Sequence, residues 1–160
     1  MGAGPSSPPL GDLLPGGSAL PAALARELDR RSTVQDVPGG TVLLRQRSAV
    51  DDLIVLVRGR IATLIDFAGT GDLVVETTEE SGRAFGWSGL VAPGRATATL
   101  RADADSRILR LPIAVVRDGP PRWTAAVCGL VAGALADRTR DLQARWALPA
   151  SEPVEAPRNA

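Results

Sequence analysis

RAFGWSGLVAPGRATATLRA, residues 83–102, runs from a strand end through a glycine and an uncharged connector to an arginine, then into a strand of small, aliphatic and β-branched residues. A flexible loop of this kind can turn several backbone N–H groups toward one point, and an arginine beside it completes a site for a single phosphate. On both sides of this stretch the pattern is that of strands. TVLLRQ (41–46), DDLIVLVRG (51–59), RIATLIDF (60–67), DLVVETTE (72–79), ATATLRA (96–102) and SRILRLP (106–112) are alternating or β-branched runs, separated by the turn signals PGG, RG, AGTGD and ADAD. Strands this short and this regularly punctuated predict a rolled antiparallel sheet, jelly-roll-like, of about eight strands.

Helical patterns flank the sheet, so the predicted class is mainly β with one N-terminal helix and one long C-terminal helix. Upstream, Leu20, Ala23, Leu24 and Leu28 recur at helical spacing, with Ser18 as the expected cap and Arg30 and Arg31 near the end. Downstream, Pro120 and Pro121 suit a helix start, and the pattern continues through WTAAVCGLVAGALADRTRDLQARW to about Trp146. No charge occurs from Trp123 to Ala136. A helix apolar on nearly every side needs cover on more than one face, and this one is too short for the roughly 20 apolar residues that a bilayer demands. One face is therefore expected on the roll and another on a second copy, in a homodimer seam of Trp123, Val127, Leu130, Val131, Ala134 and Leu135. Gly129 and Gly133 are either weak points of the helix or positions of close contact, and their bare surroundings favour contact. Cys128, inside the same run, reads as a small hydrophobe. Asp137, Arg138, Arg140, Asp141 and Arg145 form a solvated pattern of paired charges.

Composition narrows the chemistry. A chain of 160 residues, 44% hydrophobic, can bury one core but not two once its ends are set aside. Residues 1–18 and 147–160, rich in Pro, Gly and small polar groups, read as disordered tails around a domain at 19–146. The 18 basic and 18 acidic residues cancel, and the absence of a uniform positive face argues against nucleic acid as the main partner. There is no His, Lys or Tyr. That removes the usual general bases, the Schiff-base amine, the imidazole metal ligands and the Ser-His and Cys-His pairs, so no catalytic residue, metal site or enzymatic activity is expected. A single Cys excludes an internal disulfide and fits a reducing cytoplasm, and no signal peptide or membrane segment is legible. The start MGAGPS matches the pattern for lipidation of Gly2, a pattern short enough to arise by chance, whereas the Arg- and Ala-rich composition is of a bacterial kind.

Four segments, in order, carry a resemblance. VPGGTVLL (37–44) resembles an opening strand with its turn glycine at Gly40; AVDDLIVLVRGRIATL (49–64) resembles an aspartate, apolar strand and hairpin glycine at Asp51 and Gly59. GRAFGWSGL (82–90) resembles the approach to a phosphate-binding cassette, with Gly82 and Gly86 matching, and TATLRADADSRILRLP (97–112) resembles closing strands. Together they resemble the cyclic nucleotide-binding domain of the Crp/Fnr type, over about residues 20–146. The resemblance implies a ligand site at Gly86, Trp87, Ser88, Gly89, Leu90, Arg95 and Thr97, with a cyclic nucleotide or another phosphate-containing molecule as its possible ligand and no other cofactor.

Two departures fall on that site. Where the family has a Glu that holds the ribose hydroxyl, this chain has Trp87, which has no side-chain acceptor and reads either as a core plug or as a stacking wall. The family's arginine position aligns with Ala96, so Arg95 reaches the site only if the loop is bulged or one residue longer, which Gly94 allows. Gly86, Gly89 and Gly94 serve either tight turns or a phosphate cradle. The Gly-Trp-Ser variant resembles a subgroup of small bacterial proteins without a nucleotide signature. The sequence ends about where a winged helix-turn-helix would begin, so no DNA-binding domain is expected and any signal passes to an unknown protein partner. The expected function is a non-enzymatic sensor module; the alternative is a ligand-free roll used for dimerisation or docking. A cupin-like enzyme on a similar roll lacks its metal-binding His residues.

Overall fold

The protein is described by a computed structural model covering residues 9–146. Residues 1–8 and 147–160, the bulk of the two expected tails, lie outside the described residues. Five short helical elements, one of them the 3-10 turn Trp87–Leu90, and eight strands lead into one long helix. Helix α1 (Leu10–Leu13) and a 3-10 turn (Gly17–Ala19) precede α2 (Ala22–Arg31); α3 (Ile113–Arg117) and α4 (Pro121–Trp146) follow the sheets. The strands are β1 (Thr33–Val37), β2 (Val42–Leu44), β3 (Asp52–Arg58), β4 (Ile61–Asp66), β5 (Asp72–Thr78), β6 (Ala84–Phe85), β7 (Thr99–Ala102) and β8 (Ser106–Pro112). They pair antiparallel in two four-stranded sheets, ordered β1-β8-β3-β6 and β2-β7-β4-β5, as the sequence predicts for a roll with flanking helices.

Two apolar clusters explain which residues build which strand. Ile54 and Leu56 of β3 and Ile108 of β8 point into the roll, where they meet Ile61, Phe85 and Leu100. Their neighbours Leu53, Val55, Leu109 and Leu111 face the other way, onto the helices. A strand covered on both faces needs no polar alternation, which is why DLIVLV in β3 is an unbroken apolar run. The β3–β4 turn is made by Gly59 at φ +105°, where a Cβ would lie 2.6 Å from the Ser106 Cα. Ser106 is buried and satisfied, accepting the Arg60 N–H at 3.0 Å and donating to the Ala104 carbonyl at 2.7 Å. On the outer surface, hydrogen bonds from Arg107 on β8 hold the Asp36 carboxyl on β1 below its usual range.

Several local expectations are corrected. From residue 10 onward the expected N-terminal tail is part of the fold: Leu10 is 0% exposed, Leu14 and Leu20 are buried, and the Leu10 N–H donates to Asp29 Oδ1 at 3.0 Å. Leu10 and Leu14, four residues apart, place both side chains on one face despite the surrounding Gly, Pro and Ser. Ser18 caps nothing; it lies in the 3-10 turn, and α2 begins at Ala22. The cause is Pro21, which disfavours helical geometry at the residue before it, and Leu20 is extended at ψ 141°. β1 and α3 are also additional to the sequence reading. Burial of Leu10 predicts that Leu10→Ala lowers unfolding free energy by about 2–5 kcal/mol. A loss below about 0.5 kcal/mol in urea denaturation, the range of a surface change, contradicts the packing described.

Candidate ligand-binding site

A cavity of about 520 Å³ opens at the side of the roll, between the second sheet, the segment that follows β6, and α4. Its floor is Leu44, Phe85 and Leu100 from the strands; its outer wall is Leu130, Val131, Ala134 and Leu135 from α4; Leu14 and Pro15 close one end. Hydroxyl groups come from Thr63, Ser88 and Thr97.

The turn after β6 is shaped by close approach. Gly86 has φ +87°, and a Cβ there would lie 2.8 Å from the Asp52 carbonyl; one at Gly89 would lie 2.3 Å from Ile113 Cδ1 and 2.9 Å from the Val50 carbonyl. Both glycines therefore have a packing reason within the chain. Trp87, Ser88, Gly89 and Leu90 form a 3-10 turn. The Trp87 indole lines the cavity half-buried, and its N–H is spent on the Ala84 carbonyl at 3.0 Å. It is a wall of the cavity anchored to its own turn. Gly94, at φ +70°, makes the turn into the isolated Ala49–Arg95 bridge.

Of the residues expected at the site, Gly86, Trp87, Ser88 and Thr97 line the cavity, while Gly89, Leu90 and Arg95 do not. Gly89 and Leu90 turn to the core. Arg95 is exposed and donates from Nη1 to the Arg47 carbonyl at 2.9 Å. The bridge to Ala49 puts Ala96, 4% exposed, into the core, and with it the offset noted in the sequence is resolved against Arg95 reaching the cavity.

The arginines that do line it are Arg83 and Arg138. Both are engaged by Glu76 on β5: Arg83 Nη2 lies 2.9 Å from Oε1, and Arg138 Nη2 lies 2.5 Å from Oε2. The first is a hydrogen-bonded pair; the second is an ion pair without hydrogen-bond alignment, its oxygen fully enclosed. Arg83 also pairs with Glu80 at 3.6 Å. These contacts tie α4 to β5 across the cavity. Sequence reading missed the trio because Glu76 on β5 and Arg83 just before β6 are not marked as partners by any local pattern, and Arg138 falls in a charge pattern typical of a solvated helix.

The α4 seam is corrected as well. Val127 is 4% exposed, and Trp123, Leu130 and Val131 pack with it on the core of the same chain. Trp123 closes the α3–α4 corner against Gly119, whose Cβ would fall 2.4 Å from the ring. Four of the six expected seam residues are thus consumed within the chain, because one roll and its short helices cover more of α4 than its sequence suggests. The face left open is Ala125, Cys128, Gly129, Ala132, Gly133 and Ala136.

The architecture is a β-roll with a side cavity walled by a long helix. Residues 34–118 match the model of the cyclic nucleotide-binding domain, more than half of the chain, and the chain belongs to that family. Among solved structures it is similar to a cyclic nucleotide-binding domain from Methylobacillus flagellatus, with 16% identity and a TM-score of 0.65 over 81% of this chain and 76% of that one. The N-terminal domain of a transcriptional regulator from Streptomyces coelicolor shares 19% identity, with a TM-score of 0.59 over 91% of this chain and 96% of that one. The Thermus thermophilus Catabolite Activator Protein shares 18%, with a TM-score of 0.58 over 79% of this chain and 58% of that one. These are likenesses of fold. No curated protein matches the chain.

If Gly89 is a packing position, Gly89→Ala costs about 1–3 kcal/mol in chemical denaturation through overpacking. Gly94→Ala, with nothing nearer than 3.9 Å, costs only the positive-φ penalty, about 1–2 kcal/mol. A Gly89→Ala protein of wild-type stability overturns this assignment.

Proposed function

We propose that this chain is a non-enzymatic sensor module whose phosphate-binding cassette has lost selective grip on a cyclic nucleotide, and that it signals through α4 to a partner protein. The observation that carries the reading is that the indole of Trp87 and the arginines beside the cassette and the cavity each have another use. Trp87 spends its only hydrogen-bonding group on Ala84, Arg95 is turned to Arg47, and both cavity arginines are held by Glu76. Loss of a hydrogen bond to a charged group costs about 1.5–3 kcal/mol, roughly 10- to 150-fold in affinity. Supporting the regulatory side, the only long helix among the described residues is also the cavity's wall, so its position and the cavity's contents are mechanically linked. No helix among the described residues is long and apolar enough to cross a membrane, and we place the module in the cytoplasm.

The expected dimer moves to the open face of α4. Gly129 and Gly133 have nothing within 4 Å, so a second helix can approach closely there. A ligand-free docking role is the second reading; it is favoured by the exposed Phe67, Leu73, Val74 and Val75 of the β4–β5 hairpin.

In thermal-shift assays, cyclic AMP, cyclic GMP and cyclic dinucleotides at about 1 mM should leave the midpoint unchanged, since a ligand at about 100 times its Kd adds about 2.7 kcal/mol and moves it by several degrees. A shift of that size with a mononucleotide refutes the loss of grip. By light scattering at tens of micromolar, roughly the range in which modest dimers form, the wild type should be dimeric and Gly133→Leu monomeric. A monomeric wild type removes the dimer.

A further inference from the structure

We infer that the cavity under α4 is a binding site for a small, uncharged, largely apolar molecule of one to three rings, in place of an anion. The inference rests on the reading of the domain as a sensor and names the ligand class. Its volume of about 520 Å³ lies within the range of small-molecule pockets, about 300–1,000 Å³.

The charges on its rim decide the ligand's charge. Glu80, Asp137 and Asp141 line the cavity together with Arg83 and Arg138, Glu76 sits between the two arginines, and Arg140 pairs with Asp137, which leaves one carboxylate in excess among these described side chains. An anion must therefore either displace a carboxylate from both guanidiniums or remain near a rim with excess negative charge. A compact cation meets the opposite sign at the rim, but inside it loses its hydration against leucine, valine and phenylalanine side chains. A neutral molecule avoids both costs. Apolar surface supplies the attraction: Val91 and Leu135, 59% and 50% exposed, both stand on this cavity, where a ligand would cover them. The hydroxyls of Thr63, Ser88 and Thr97 can each give or take one hydrogen bond, enough to orient a single hydroxyl or carbonyl group. Such a ligand touches β7, the β6 turn and α4 at once, so the contacts it adds bear on the position of the helix.

The test uses two related dyes on the full chain: neutral N-phenyl-1-naphthylamine and the anionic 8-anilinonaphthalene-1-sulfonate. Fluorescence titration should show saturable binding of one neutral dye per chain, at least about 10-fold tighter than the anionic dye, and undiminished by cyclic AMP at about 1 mM. Ala134 is an exposed wall residue, so Ala134→Trp fills the cavity without entering the core. It should weaken the neutral dye at least about 10-fold with an unchanged melting curve. Three results overturn the inference: no saturable binding, equal or tighter binding of the anionic dye, or binding indifferent to Ala134→Trp. If the dye fails and cyclic nucleotides also give no thermal shift, the ligand class is wrong and the loss of nucleotide grip stands. If a cyclic nucleotide binds and displaces the dye, the proposed function itself fails.

Discussion

The carboxylate of Glu76, held between Arg83 and Arg138, is the interaction on which the arrangement of the cavity depends. It joins three separate parts of the chain: the outer strand β5, the approach to β6, and the second half of α4. Among the described side chains, apolar packing attaches α4 to the core through its first half, by Trp123, Val127, Leu130 and Val131. Beyond Leu135 the helix has charged and exposed residues, and Arg138 is its one ion pair to the roll among the described residues. The three side chains keep 21–36% of their surface exposed, so the pairs are weaker than fully buried ones and more readily exchanged.

The same carboxylate accounts for the altered electrostatics of a family pocket. An anion site needs a cation whose charge is not already spent. Here two guanidiniums face the cavity and both are spent, while Arg95, beside the loop where a phosphate would be held, bonds a backbone carbonyl outside it. The glycines of the turn remain, but each has a steric reason within the chain. Gly86 lets β3 approach and Gly89 lets Val50 and Ile113 approach.

Much of the roll was legible in the sequence because burial on one or both faces writes itself as alternation or as an unbroken apolar run. β3 to β5 and β8 follow the predicted segments within a residue or two at each end. β1 was not legible: in TVQDV only Val37 is buried, and the strand forms because β8 supplies a complete ladder from Arg110 to Ser106. The N-terminal segment was hidden by its Gly, Pro and Ser content, although Leu10 and Leu14 had helical spacing. For α4, composition correctly indicated a helix, but a run apolar all round carries no phase and cannot say which residues meet the chain's own core. At the site, Gly86, Trp87, Ser88 and Thr97 were legible through the family pattern. Glu76, Arg83 and Arg138 were not, since nothing local marks a pair formed across strands and a distant helix.

Glu76, with Glu80 on Arg83, balances the two arginines of the cavity and so disfavours anions there, and calorimetric titration of cyclic AMP into the wild type and Glu76→Gln measures this. The substitution keeps the side chain's shape but removes one negative charge and turns one of the two acceptor oxygens into a donor, so that one guanidinium loses its partner. The account predicts no binding heat for the wild type and a saturable, salt-sensitive isotherm for the variant. Wild-type binding as tight as that of the variant would contradict it.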